Sequence, residues 1–281
     1  MSMIACTQVQ MNNYLHMNVR LFLLWIGSLF LLSSCEELID IDLNEGDPRV
    51  VIEAQLSDLG DVQRVRVSES VAFNEPFNSR PLAGATVVVR DDRGGSFLFQ
   101  YEDNGYYVHH TFRPMVGRSY FLQVNVGQER YESVCRMPQY VEVDSIGVLE
   151  ETIFGDPYYF ATFKFNDPAD MPNYYLYELS INGGTFRFAS ALNDKFNDGL
   201  YVTHQISDLE TDLMVGDNIT VRRYCVDRSV YQYWSEYQST NPGTAAPGNP
   251  TSNISNDALG YFSVASAKEF AMRIEARDIG D

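Results

Sequence analysis

The chain reads as an all-β protein of two antiparallel β-sandwich domains with one short amphipathic helix near the C-terminus. Short runs rich in Val, Ile, Thr, Tyr and Phe recur along it in period-two alternation, turn residues bound them, and no helical crossover separates them. Eighteen Tyr and 17 Phe against only 21% charged residues fit a folded sheet protein and not a disordered one.

The first element is an export signal. Arg20 precedes the uncharged apolar run Leu21 to Leu32, and Leu32-Ser33-Ser34-Cys35 ends it, which matches the basic start, apolar centre and small-residue cut site of a signal peptide. The run is too short to span a bilayer comfortably. A Leu three residues before a Cys, with small residues between, is the pattern for acylation of that thiol and cleavage just before it. Residues 1–34 are therefore expected to leave, with Cys35 lipidated as the first mature residue. Several acyl chains on one N-terminus would hold the protein firmly in a membrane. Met17 looks a more natural start than Met1, because residues 1–16 add no basic charge and leave Cys6 without a role. Residues 35–47 form an acidic tether in which Glu36 and Glu37 directly follow the Cys. In Bacteroidota-type lipoproteins such acids resemble the signal for display on the outer face of the outer membrane; solvation of a leader strand is the plainer alternative.

Processing would leave 247 of the 281 residues and take away one base and no acid, so that the net charge of −18 becomes −19. That acidity opposes nucleic acid and anionic membrane surfaces. Beyond Cys6 and Cys35 only Cys135 and Cys225 remain, which is no disulfide framework; one bond or two separately buried thiols are both open.

Residues 48–138 carry the first domain. Strands are expected at Val50 to Leu56, Val62 to Val67, Ala85 to Val89, Ser96 to Gln100, Tyr106 to Val108, Tyr120 to Val126 and Tyr131 to Cys135, with Asn104-Gly105 as a type I′ turn. Met137-Pro138-Gln139 reads as a hinge into a second domain over 139–281. Its strands are Val141 to Ile146, Tyr158 to Phe165, Tyr174 to Ile181 paired through Asn182-Gly183-Gly184 with Thr185 to Phe188, Leu200 to Ile206, Asn218 to Val226, Leu259 to Ala267 and Glu269 to Ala276. Between them, Val230, Tyr233, Trp234 and Tyr237 fall at i, i+3, i+4 and i+7, and Ser229 with Gln232 suggests a capping box, so Asp227 to Tyr237 reads as the helix. Asn241 to Pro250 can sustain neither helix nor sheet.

Several segments, in order, resemble one family, the lipoproteins grouped as domain of unknown function 4249. They are Cys35 to Asp42, Pro81 to Val87, Asn104 to Tyr107, Asn173 to Tyr175, Tyr231 to Trp234, and Asn253 to Phe262. The resemblance implies a Bacteroidota cell-envelope lipoprotein working near a TonB-dependent receptor, and supplies no established chemistry. Both sandwiches are expected to be immunoglobulin-like or transthyretin-like, and the first half also looks like the transthyretin-like or carboxypeptidase-regulatory type of accessory sandwich.

Catalytic motifs are few. The sequence holds no Gly-x-Ser-x-Gly, His-Glu-x-x-His, Walker-type Gly-rich loop or Cys-x-x-Cys. His109 and His110 are neighbours on one strand and face opposite ways, so a metal shared with His204 is not expected. Asp156, Asp167 and Asp170 lie in turns where Ca²⁺ sites arise, yet turn-forming Asp is the simpler reading. Tyr231, Tyr233, Trp234 and Tyr237 could form a stacking platform for a ligand or partner, or be the packed face of the helix.

The sequence thus points to a surface-directed outer-membrane lipoprotein, anchored through Cys35. It would act without catalysis, cofactor or metal as an accessory or ligand-binding partner of a TonB-dependent uptake receptor, with a glycan or peptide as ligand and no contact with nucleic acid. The alternatives are an envelope glycan or peptide hydrolase using carboxylates, and a structural surface protein.

Overall fold

A longest strand that changes partners halfway organises the molecule. In the computed structural model, which describes residues 47–71, 79–240 and 248–275, this strand is β15, Leu259–Arg273. Leu259 to Ala265 run parallel to β1 (Val50–Ser57), and Ser266 to Arg273 run antiparallel to β14 (Asn218–Cys225). The approach to β1 at Gly260 is so close that a Cβ there would fall 2.1 Å from the Ile52 carbonyl oxygen, and its φ of +91° suits only glycine.

From β1 the hydrogen-bonded path continues through β2 (Gln63–Glu69), which also pairs with the short β3 (Arg80–Pro81), to β6 (Tyr106–His109) and β5 (Ser96–Tyr101). β5 switches as β15 does: its first four residues pair with β4 (Thr86–Asp91), its last two with β6. β7 (Ser119–Val126) and β8 (Glu129–Arg136) follow β4. In the other direction β14 leads to β11 (Tyr174–Ile181) and β12 (Arg187–Asn193). Twelve strands make up this sheet, eleven along the path and β3 beside β2, and β9 (Ser145–Ile153), β10 (Asp156–Asn166) and β13 (Tyr201–Ile206) form a second, three-stranded sheet. The helix α1 spans Arg228–Thr240.

A mostly β chain with one helix is what the sequence led one to expect; two separate sandwiches are not what forms. Two cores exist, but the sheet of β11, β14 and β15 stands between them and feeds both. Leu176, Tyr224 and Phe262 belong to the first core, with Ile52, Val65, Val89 and Leu122. Tyr175, Tyr177, Val221 and Ile274 point the other way, into a second core with Phe163, Phe165 and Ile206 of the small sheet. Period-two alternation makes this possible, since successive residues of one strand face opposite layers. The chain from Gly46 onward is accordingly one compact unit.

Most strand expectations hold within a residue or two. Asn104 (φ 44°) and Gly105 (φ 79°) make the expected turn, and a side chain on Gly105 would strike the Val67 carbonyl. Two differences have physical causes. Val141 to Asp144 are not strand, because the Val141 amide and carbonyl are taken by Cys225 Sγ and Arg223. The strand after Gly184 starts at Arg187 and runs to Asn193, with a bulge opposite Tyr177 and Glu178 that shifts the register. Cys135 and Cys225 are separate buried thiols, and their sulfurs accept the amides of Val264 and Val141. Burial raises both thiols, Cys135 well above the ordinary range, which makes them packing groups and not nucleophiles.

Candidate functional site

The residues singled out by sequence fall into two groups. Cys35, Glu36 and Glu37 lie outside the described residues, as do residues 241–247 of the Pro/Gly loop. The four aromatics lie on α1. The helix begins at Asp227, not Ser229: Asp227 Oδ1 accepts the Val230 amide at 3.0 Å and the Ser229 hydroxyl at 2.8 Å. Gln232 turns outward and donates to Glu236 at 2.8 Å instead of closing a capping box. At the far end the Ser239 and Thr240 hydroxyls donate to carbonyls of the preceding turn, where Asn241-Pro242 would stop a helix in any case.

With 100° between residues, Val230 and Trp234 point into the first core, Tyr233 and Tyr237 flank them on one side, and Tyr231 flanks them on the other. The aromatics therefore do not form one platform. Tyr231 stacks on Tyr174 (centroids 5.0 Å apart, 27°), and its hydroxyl accepts from Asn193 Nδ2 at 2.6 Å, beside a cleft of about 590 Å³ that Lys195, Arg228 and Glu236 also line.

Tyr233, Trp234 and Tyr237 meet β12, β15 and β1 around a second cleft of about 350 Å³. Its wall is a stack of Trp234 on Phe188, 4.7 Å apart and 13° from parallel, with the Tyr237 ring set edgewise against both. Tyr261 closes the floor, 4.9 Å from Tyr233 and 5.1 Å from Trp234. Trp234 Nε1 is buried without a hydrogen-bond partner, and Tyr237 is 36% exposed at the rim. One Trp face is thus spent on Phe188, so core packing accounts for Trp234, while Tyr237 remains open to a ligand. Burial, reinforced by the Glu53 carboxylate, pushes the Tyr233 phenol up to about 12, so it stays a neutral donor.

Polar groups ring this cleft. Arg187 forks between Asp208 at 2.9 Å and Glu210 at 3.0 Å, and Glu53 pairs with Arg66 at 3.0 Å. Sequence reasoning missed Phe188, Arg187, Asp208 and Tyr261, which come from three separate segments. Local pattern gave no signal for them, since alternation along the edge strand β12 would place the successive residues Arg187 and Phe188 on opposite faces.

The histidines stay apart from the cleft. His109 packs against Phe97, Phe99 and Phe112, and His110 is exposed beside it. His204 is buried in the second core, where burial, then the Arg223 charge, lowers it to about 3. Its Nδ1 lies 2.8 Å from the Tyr177 hydroxyl, which accepts Arg223 Nε–H at 2.9 Å and so donates to the imidazole. Of the turn aspartates, Asp156 opens β10 and Asp170 stands at φ 64° in the turn after β10; Asp167 is buried. No helix among the described residues is long and apolar enough to cross a membrane.

The Asn253 to Phe262 segment has a structural task. Asn253 Oδ1 accepts the Phe262 amide and its Nδ2 donates to the Phe262 carbonyl, both at 2.8 Å, while Ser255 exchanges hydrogen bonds with Glu132 of β8. It fastens β8 and the start of β15 beside the N-terminus of α1, where Asn253 also donates to Ser229. A comparison with protein families matches residues 36–271 to a family described as "Domain of unknown function (DUF4249)". No curated protein matches the chain.

Proposed function

The chain belongs to the DUF4249 family, and on that premise we propose that it is a surface-directed outer-membrane lipoprotein, anchored through Cys35. In this reading it serves as a non-enzymatic accessory or ligand-binding partner of a TonB-dependent uptake receptor. The cleft between α1 and β12 is its contact site, and the observation that carries the reading is Tyr237 standing open at the rim of a rigid aromatic wall. A ring face and phenolic edge beside paired charges suit a glycan or a peptide, which offer apolar faces and hydrogen-bonding rims together. Glu53, Asp208 and Glu210 are each engaged by an arginine, which favours binding over carboxylate hydrolysis.

The test is affinity purification of the acylated protein from gently solubilised outer membranes, alongside Cys35→Ala and Tyr237→Ala. A stoichiometric TonB-dependent receptor, lost with Cys35→Ala and weakened with Tyr237→Ala, supports both anchor and cleft. A protein that purifies alone in all three preparations sinks the accessory role.

A further inference from the structure

We propose that Asp167, Asp194 and Asp198 form a binding site for a hard divalent cation of the Ca²⁺ type. The three come from two connections at the edge of the second core: Asp167 follows β10, and Asp194 and Asp198 both lie in the loop between β12 and β13. Backbone hydrogen bonds hold these turns together, Asp167 amide to Leu200 carbonyl at 2.9 Å and Asp194 amide to Asn173 carbonyl at 3.3 Å.

One carboxylate oxygen from each residue lies within 4.8 Å of the other two. Oxygens bound to one Ca²⁺ at 2.3–2.6 Å stand at most about 5 Å apart, so this spacing is that of a shared ion. Clustering alone would not distinguish a site from a set of turn aspartates. The independent observation is Asp167 itself. It is only 5% exposed; one oxygen accepts the Tyr175 hydroxyl at 2.5 Å, and the other, Oδ2, is buried with no hydrogen-bond partner. An ionised oxygen left in that state is among the costliest arrangements a protein interior can hold.

Nothing basic relieves it. Among the described residues no Lys or Arg ion-pairs with any of the three, although eleven such pairs form elsewhere. Asp194, also buried, is held by the Asn173 amide and side chain at 2.6 and 3.4 Å, and Asp198 by the Asp170 amide at 3.3 Å. Those contacts orient two carboxylates without neutralising them. Three carboxylates with no His or Cys favour Ca²⁺, Mg²⁺ or Mn²⁺ over zinc, and Ca²⁺ tolerates a shell completed by loop carbonyls and water.

The experiment uses the full chain in mild detergent, stripped with a chelator. Ca²⁺ is titrated against the thermal midpoint, and Tb³⁺ against luminescence sensitised by Tyr175, whose hydroxyl touches Asp167. A midpoint rise of several degrees in millimolar Ca²⁺ is expected, with Tb³⁺ emission displaced by Ca²⁺. Asp198→Asn, at an exposed position that leaves folding intact, weakens both responses at least about tenfold. Asp167→Asn abolishes them yet keeps or raises the midpoint of the metal-free protein, because it removes the uncompensated buried charge. Asp61→Asn, an exposed acid far along the chain and paired with Arg113, retains the full response. No cation-dependent change in the native chain overturns the site. So does a response that survives both Asp167→Asn and Asp198→Asn, or one lost equally in Asp61→Asn.

Discussion

In the core between the N-terminal strands, Ile52, Leu56, Val65, Val89, Leu122 and Val124 meet with no buried charge among them. Two of its tyrosine hydroxyls reach nearby backbone, Tyr107 donating to the Leu82 carbonyl and accepting the Ala85 amide and Tyr120 accepting the Met115 amide, while Tyr131 and Tyr224 donate to Glu129 and Glu178 at its margin. Across the β11–β14–β15 sheet, the second core encloses Arg223, fully buried, with its guanidinium 4.5 Å from the rings of Phe165 and Tyr175 and 5.2 Å from Tyr140. Here tyrosine hydroxyls reach side chains, Tyr175 to Asp167 and Tyr177 to His204 and Arg223. The first core depends on area and volume, so many sequences would fill it. The second depends on particular polar partners, and one wrong residue leaves several groups unsatisfied.

The largest expected effect tests that contrast directly. Arg223→Ala should cost about 4 kcal/mol, from the cavity and from charge-assisted hydrogen bonds lost to Val141 and Tyr177. The sharper version is a conservative pair read by urea unfolding. Arg223→Lys should cost about 2 kcal/mol, since an ammonium can neither fork nor stack as the guanidinium does. Leu122→Met should cost less than about 1.5 kcal/mol. Equal losses in that pair would erase the distinction between the cores.

The next effect is pH dependence. His204 is lowered to about 3 in the folded state, against an ordinary value of 6.5. The unfolded chain therefore takes up the proton first as pH falls, so the stability present above pH 6.5 drains away between 6.5 and about 3. From pH 6.5 to 5 the loss should be about 2 kcal/mol, and His204→Gln should remove that slope from the unfolding midpoint. An unchanged slope would show that His204 is not held neutral. The smallest effect lies where α1 meets the first core: Asp227→Ala should cost about 1 kcal/mol through the lost cap, and Ser229→Ala clearly less. The reverse order in helix content or melting would restore Ser229 as the cap.

The first core was largely legible in the sequence because half-buried strands write their inward face at every second residue. β1, β2, β4 and β7 do so plainly. The helix was legible from its i, i+3, i+4, i+7 stripe, and its cap was misplaced by two residues because Asp227 and Ser229 are both good N-caps. Of the cleft, only Tyr233, Trp234 and Tyr237 could be picked out beforehand, since their partners Phe188, Asp208 and Tyr261 are distant in sequence. Nothing local marks Arg223 beyond its place beside Arg222 in a strand, and Asp167 reads as an ordinary turn residue.

By itself the sequence determined the strand-rich class, the turns at Asn104-Gly105 and Asn182-Gly183, and the one helix, because each follows from local periodicity and backbone preference. Only the tertiary structure decided that β15 would pair with β1 along one half and β14 along the other, that Arg223 would be enclosed by rings, and that three aspartates would share one corner. Those outcomes depend on register and on which layers meet, and a strand's alternation states that it has two faces without stating what each will touch.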